Sequence, residues 1–176
     1  MNLFTRLFGS AQGGGASRET ETVRRIAARL ERLAPERARH LAAFAYVLAR
    51  VANSDLRITE TETDRMLALV REHAGLSEEE AALAVEIAKS QARLLGGTEN
   101  YVVTREFRDI STREERVRLL ECLFAVAAAD GKIDSAESTE IAKIAEELGF
   151  LREEINALRA PWRDKLSELQ GLPTRS

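Results

Sequence analysis

Four times along this chain a serine, threonine or aspartate stands three residues before a glutamate, just ahead of a stretch with helical apolar spacing. The pairs are Thr59/Glu62, Ser77/Glu80, Ser111/Glu114 and Asp134/Glu137. In each, the first side chain can accept from the backbone N–H three residues on, while the glutamate reaches back to the first N–H. The acids also face the positive end of the helix dipole. Gly75, Gly96-Gly97 and Gly149 stand where left-handed C-terminal residues end helices. No stretch keeps the period-two alternation of a strand. The chain is therefore expected to be all-α, a compact bundle of about seven to eight helices.

The first helix is expected over about 19–33, with Val23, Ile26, Leu30 and Leu33 on one stripe. Pro35 opens the second at a position where its missing N–H costs little. That helix, about 36–52, is apolar on nearly every face past His40, so it should be central. Residues 101–107 read as a short helix or turn, and Pro161 interrupts or restarts the last helix.

Shifting the sequence by 75 residues superimposes two helical hairpins. Leu48 falls on Leu123, Val51 on Val126, Asp55 on Asp130, Ile58 on Ile133 and Glu62 on Glu137, while Met66 and Leu69 meet Ile141 and Ile144. Gly75-Leu76-Ser77 then resembles Gly149-Phe150-Leu151 with a one-residue slip. Two copies are too few for a solenoid and enough for a pseudo-symmetric bundle.

The turn from Asp130 to Glu137 matches positions 5 to 12 of an EF-hand loop, with Gly131 at 6 and Glu137 at 12. Positions 1 and 3 are Val126 and Ala128, which supply no carboxylate, so an ordinary EF-hand site is ruled out. A calcium or magnesium site shared between the two turns, with ligands from Asp55, Glu62, Asp130, Asp134 and Glu137, stays open. Capping accounts for Asp134 and Glu137 as well, and a carboxylate can both cap and bind.

Composition removes most catalytic classes. One cysteine excludes an internal disulfide or a cysteine-clustered zinc site, and two histidines leave little for histidine-ligated metal. No phosphate-cradling glycine loop follows a strand. Cys122 lies in an apolar run and reads as an inert core thiol. His73 sits near a helix C-terminus and His40 at a semi-exposed position, so neither is placed beside a nucleophile.

Residues 1–50 carry nine arginines against four glutamates, and the remainder carries a net charge of -8. The arginines of the first helices are interleaved with glutamates, so a match to the acidic body is favoured over nucleic acid. Residues 1–17 read as a tip and flexible linker, with apolar Leu3, Phe4, Leu7 and Phe8 at helical spacing that could touch a membrane surface. Residues 18–176 form the helical domain. With no secretory signal or membrane-spanning run, a cytoplasmic location, or one peripheral to a membrane, is expected.

The run Leu119-Leu120-Glu121-Cys122-Leu123-Phe124-Ala125-Val126-Ala127-Ala128-Ala129-Asp130-Gly131-Lys132-Ile133-Asp134-Ser135-Ala136-Glu137, with its first copy upstream, resembles the TerB-like family, also seen as the N-terminal domain of DjlA-type co-chaperones. The resemblance covers about residues 38–158. It implies pseudo-repeated helical hairpins, a stress-linked role associated with tellurite resistance, and acidic clusters that engage metal ions or partners. Carried over, the acidic motif falls on Asp130, Asp134 and Glu137, with Asp55 and Glu62 in the first copy. Leu56 and Thr59 depart from it where glycine and aspartate would stand. No His-Pro-Asp signature of a J domain occurs. The expected function is a non-enzymatic interaction module with a protein partner. A membrane-peripheral adaptor, a co-chaperone-like domain without a J domain, and a metal-dependent hydrolase are the alternatives.

Overall fold

A computed structural model describes residues 17–52, 59–91 and 100–167. They form eight α-helices: α1 (Ser17–Leu30), α2 (Pro35–Ala52), α3 (Glu60–His73), α4 (Glu78–Gln91), α5 (Asn100–Ile110), α6 (Arg113–Ala127), α7 (Ser135–Glu147) and α8 (Arg152–Arg159). Single 3-10 turns, Ala128–Asp130 and Ala160–Trp162, follow α6 and α8. The tip at 1–16, the first acidic turn with Asp55, and Gly96-Gly97 lie outside the described residues.

α2 is the axis of the bundle. Every side chain from His40 to Ala49 is buried, and α4, α5, α6 and α7 all pack against it. Its most extensive neighbour is α4. Buried alanines at 42, 45 and 49 in α2 and at 81, 84 and 88 in α4 leave room for the two backbones to approach closely. α6 is the second buried helix, with Leu119, Leu120, Cys122 and Leu123 fully enclosed. The duplication becomes an exchange of partners: α3 packs on α6 of the other hairpin, and α7 packs on α2 as well as on α6. Leu48 and Leu123, placed in register by the sequence, are both inaccessible to solvent.

Several boundaries move for identifiable reasons. α1 stops at Leu30, three residues early, and residues 31–33 close a tight turn. Pro35 biases Ala34 away from helix, so the chain must break before it. The segment at 101–107 is a full helix of 11 residues, α5. Its β-branched residues are weak helix formers, but Val103, Thr104 and Phe107 are buried against the bundle, and tertiary packing overrides propensity. The third cap falls one residue later than read. Thr112, extended at φ -74, accepts from Glu115 N at 3.2 Å, and Glu115 Oε2 accepts from Thr112 N at 2.8 Å. Ser111 serves the turn between helices, and its hydroxyl is buried without a hydrogen-bond partner.

Candidate functional site

The second acidic turn is built from both ends. α6 tightens into the 3-10 turn, and Gly131 follows at φ 96, a left-handed conformation that favours glycine. Asp130 Oδ1 accepts from Lys132 N at 3.1 Å. Asp134 Oδ1 accepts from Glu137 N at 2.8 Å, while Glu137 Oε2 accepts from Asp134 N at 2.9 Å, closing the capping box of α7. Between these polar anchors Ile133 turns inward and is fully buried. Its N–H donates to Lys165 O at 2.8 Å and its carbonyl accepts from Ser167 N at 3.0 Å, a parallel bridge to Leu166. Trp162 stacks on Phe124 of α6 with ring centroids 6.4 Å apart and planes 15° apart, pinning the segment that forms this bridge. The turn is thus rigid in backbone, while Asp130, Lys132, Asp134, Ser135 and Ala136 stay exposed.

Of the first turn's candidate ligands, Glu62 is the one among the described residues. Its Oε2 accepts from Thr59 N at 2.6 Å, and these cap hydrogen bonds hold the carboxyl below the usual range. Arg65, one turn further along α3, donates from Nη1 to Ala129 O at 2.8 Å. A cation from the first hairpin therefore clamps the end of α6 beside the second turn. Each of Glu62, Asp134 and Glu137 commits a carboxylate oxygen to its cap. Among the described residues, no group of three or more His, Cys, Asp or Glu side chains is arranged to hold a metal ion. Neither Arg65 nor the Ile133–Leu166 bridge carried a sequence signal. Both join segments far apart in the chain through main-chain groups, which any residue supplies.

Nucleophile and base candidates sit apart from this turn. Cys122 is buried, and burial pushes its thiol up to about 12, so little thiolate forms. His40 is 8% exposed, not semi-exposed as its sequence position suggested. It packs against the Phe107 ring at 5.0 Å, and its Nε2 lies 4.0 Å from Glu115 Oε1. Burial lowers its pKa, with the Glu115 charge opposing.

The arginine-rich front is largely spent within the molecule. Arg37 forks onto Glu80 at 2.6 and 2.7 Å. Arg39 donates to Glu106 at 2.6 Å, and Arg25 and Arg29 both hold Glu86. Arg50 is the most enclosed, its side chain 1% exposed. It meets Glu140 at 2.5 Å, Glu147 at 2.7 Å and the Thr104 hydroxyl at 2.6 Å, tying α2 to α5 and α7. No described helix is long and apolar enough to cross a membrane.

A family model described as tellurite resistance protein TerB matches residues 40–160, about two thirds of the chain. That span runs from the buried start of α2 to the end of α8. It includes both hairpins and both acidic turns, and leaves out α1. Neither the curated proteins nor the solved structures hold a match to the chain.

Proposed function

The chain belongs to the TerB tellurite-resistance family, and on that premise we propose that it is a non-catalytic interaction module of a stress response, working through the turn at 130–137. The observation that carries this reading is the construction of that turn: a backbone fixed by the capping box, the Ile133–Leu166 bridge and the left-handed Gly131, with the Asp130 and Asp134 side chains exposed to solvent. Such a surface suits a partner that offers cationic groups, or a divalent cation held by the exposed carboxylates. A hydrolytic role is not favoured, because Cys122 is buried as a thiol and His40 is enclosed against Phe107, both apart from the turn.

Titration of the full chain with calcium and with magnesium, followed by backbone amide NMR, tests the cation arm. Saturable shifts confined to residues 128–137 support it. Asp130→Asn with Asp134→Asn should abolish them while keeping the turn, since asparagine caps a helix about as well as aspartate. Shifts absent at all concentrations remove the cation and leave the protein-partner reading. Residues Leu3, Phe4, Leu7 and Phe8 carry a second reading through their apolar spacing, contact with a membrane surface. Liposome flotation of the chain with and without residues 1–16 separates it, and equal behaviour ends it.

A further inference from the structure

Shifted by 75 residues, the two hairpins place Thr59 on Asp134, Glu62 on Glu137 and Arg65 on Glu140. The first two pairs do the same work, since both form reciprocal caps. The third pair carries opposite charges, and each member crosses to the other hairpin. Arg65 of α3 donates from Nη1 to Ala129 O at 2.8 Å, just past the end of α6. Glu140 Oε1 of α7 accepts from Arg50 Nε and Nη2 at 2.8 and 2.5 Å, in the last turn of α2. One position of the repeat thus ties the helix after each acidic turn to the end of the buried helix in the opposite hairpin. The sequence resemblance implies acidic clusters that engage metal ions, and a cation shared between the turns would sit where α3 begins and α6 ends. The described residues do not fit one there. Glu62 commits Oε2 to its cap, and the Thr59 hydrogen bonds chiefly, with the Arg65 charge adding, hold its carboxyl low. Its neighbour in the cap is Thr59, where the second copy has the carboxylate of Asp134. Among the described residues, no three His, Cys, Asp or Glu side chains are arranged to hold a metal. Ala129 O, a main-chain oxygen of the kind calcium takes as a ligand, is taken by a guanidinium, which donates only and repels a divalent cation.

We infer that Arg65 stands in for a shared cation, so that this chain joins its two hairpins by its own charges and not by a metal ion. Arg65 makes the tie from α3 to α6, and Arg50 with Glu140 makes the equivalent tie from α2 to α7. Both ties follow the helix contacts of the bundle, in which α3 packs on α6 and α7 on α2. The positive charge that a cation would bring between the hairpins is covalently part of α3, one turn beyond Glu62. A cation held by Asp130 and Asp134 alone is a separate matter, because neither ligand belongs to the first hairpin. The cation arm of the proposed function and this inference therefore fail independently.

The thermal midpoint of the full chain, measured in excess chelator and in millimolar calcium or magnesium, tests it. A cation bound to the folded state alone raises the midpoint, so equal values are expected for the unaltered chain. A rise that Glu62→Gln abolishes places a cation between the hairpins and overturns the inference, since glutamine keeps the capping box and removes only the charge. A rise that Glu62→Gln leaves intact, and that Asp130→Asn with Asp134→Asn removes, puts the cation on the turn at 130–137 alone, as the inference requires. Arg65 is exposed, so its variants should fold. Arg65→Gln should lower the midpoint in chelator by about 2–4 °C, the loss of one charge-assisted hydrogen bond, and Arg65→Lys, which keeps the charge, should lose less. Calcium should then recover part of the Arg65→Gln loss, because Glu62 and the Ala129 carbonyl are left facing an uncompensated gap. An unchanged midpoint in Arg65→Gln would show that Arg65 ties nothing, and a lowered midpoint indifferent to calcium would reduce it to a hydrogen bond. Either result overturns the inference.

Discussion

At the scale of single residues, Arg50 shows how a charge can be enclosed in an apolar bundle. Its guanidinium spends its donors on Glu140, Glu147 and Thr104, so burial leaves it paired on several sides. Removing one member strands the others. Arg50→Met should cost about 3–5 kcal/mol in urea denaturation, because Glu147, itself 9% exposed, loses its counter-charge. Combining it with Glu147→Leu should recover part of that loss. His40 behaves differently because it can shed its charge. Burial lowers its pKa from 6.5, Arg37 on its own helix adds to the lowering, and Glu115 on α6 and Glu80 on α4 oppose it. The folded state therefore binds the proton less readily than the unfolded chain, and stability falls as pH drops below about 6.5. A second loss follows at lower pH. The Arg37 guanidinium holds the Glu80 carboxyl down to about 2, so that contribution is present above 4.5 and disappears as pH falls toward 2. In His40→Gln the urea midpoint should stay flat between about pH 7 and pH 5 while the unaltered chain declines. An equal decline in both would show that His40 does not set the upper window.

Helices were the legible part of the sequence because capping chemistry is local. Thr59/Glu62, Ser77/Glu80 and Asp134/Glu137 all form reciprocal boxes at the places their spacing predicts. The third start slipped by one, since Ser111/Glu114 and Thr112/Glu115 offer the same pattern in adjacent registers and only the path from α5 into α6 selects between them. α5 is longer than the short helix or turn its sequence suggests because its helicity depends on burial of Val103, Thr104 and Phe107 by other helices, which no local rule contains. The two copies also differ where one would expect them to agree. Ser77 caps α4, but its counterpart Leu151 begins α8 with a side chain that cannot accept a hydrogen bond and is 71% exposed. Glu154 still reaches back to Leu151 N at 2.7 Å, so half of the box survives. Leu151→Ser should complete it and stabilise the protein by about 1 kcal/mol, read as a raised thermal midpoint, whereas Thr112→Ala should destabilise by about the same amount. A lowered midpoint for Leu151→Ser would mean the exposed leucine makes a contact that the cap does not replace.

Across the whole molecule, the opposite charges of front and body were visible from the sequence, but their pairing was not. Arg37 with Glu80 spans 43 positions and Arg50 with Glu147 spans 97. Such partners are chosen by the packing of α2 in the centre. The candidate site divides along the same line: the cap at Asp134 and Glu137 was readable, while the bridge from Ile133 to Leu166 and the Arg65 clamp depend on how distant segments meet. That bridge makes the end of the described chain part of the turn, and Trp162 allows the coupling to be measured. As the sole tryptophan, stacked on Phe124 of the buried α6, it reports the docking of residues 160–167. If the turn and the segment fold together with the bundle, Trp162 fluorescence and far-UV circular dichroism should give coincident urea transitions. Trp162→Ala should lower stability by about 1–3 kcal/mol, less than a fully buried tryptophan would, because the ring is only half-buried. The same change should loosen the Ile133 bridge, so the amides of residues 130–134 should exchange faster than those of the core of α6. A fluorescence transition well ahead of the dichroism would instead make residues 160–167 an independently opening flap over the turn.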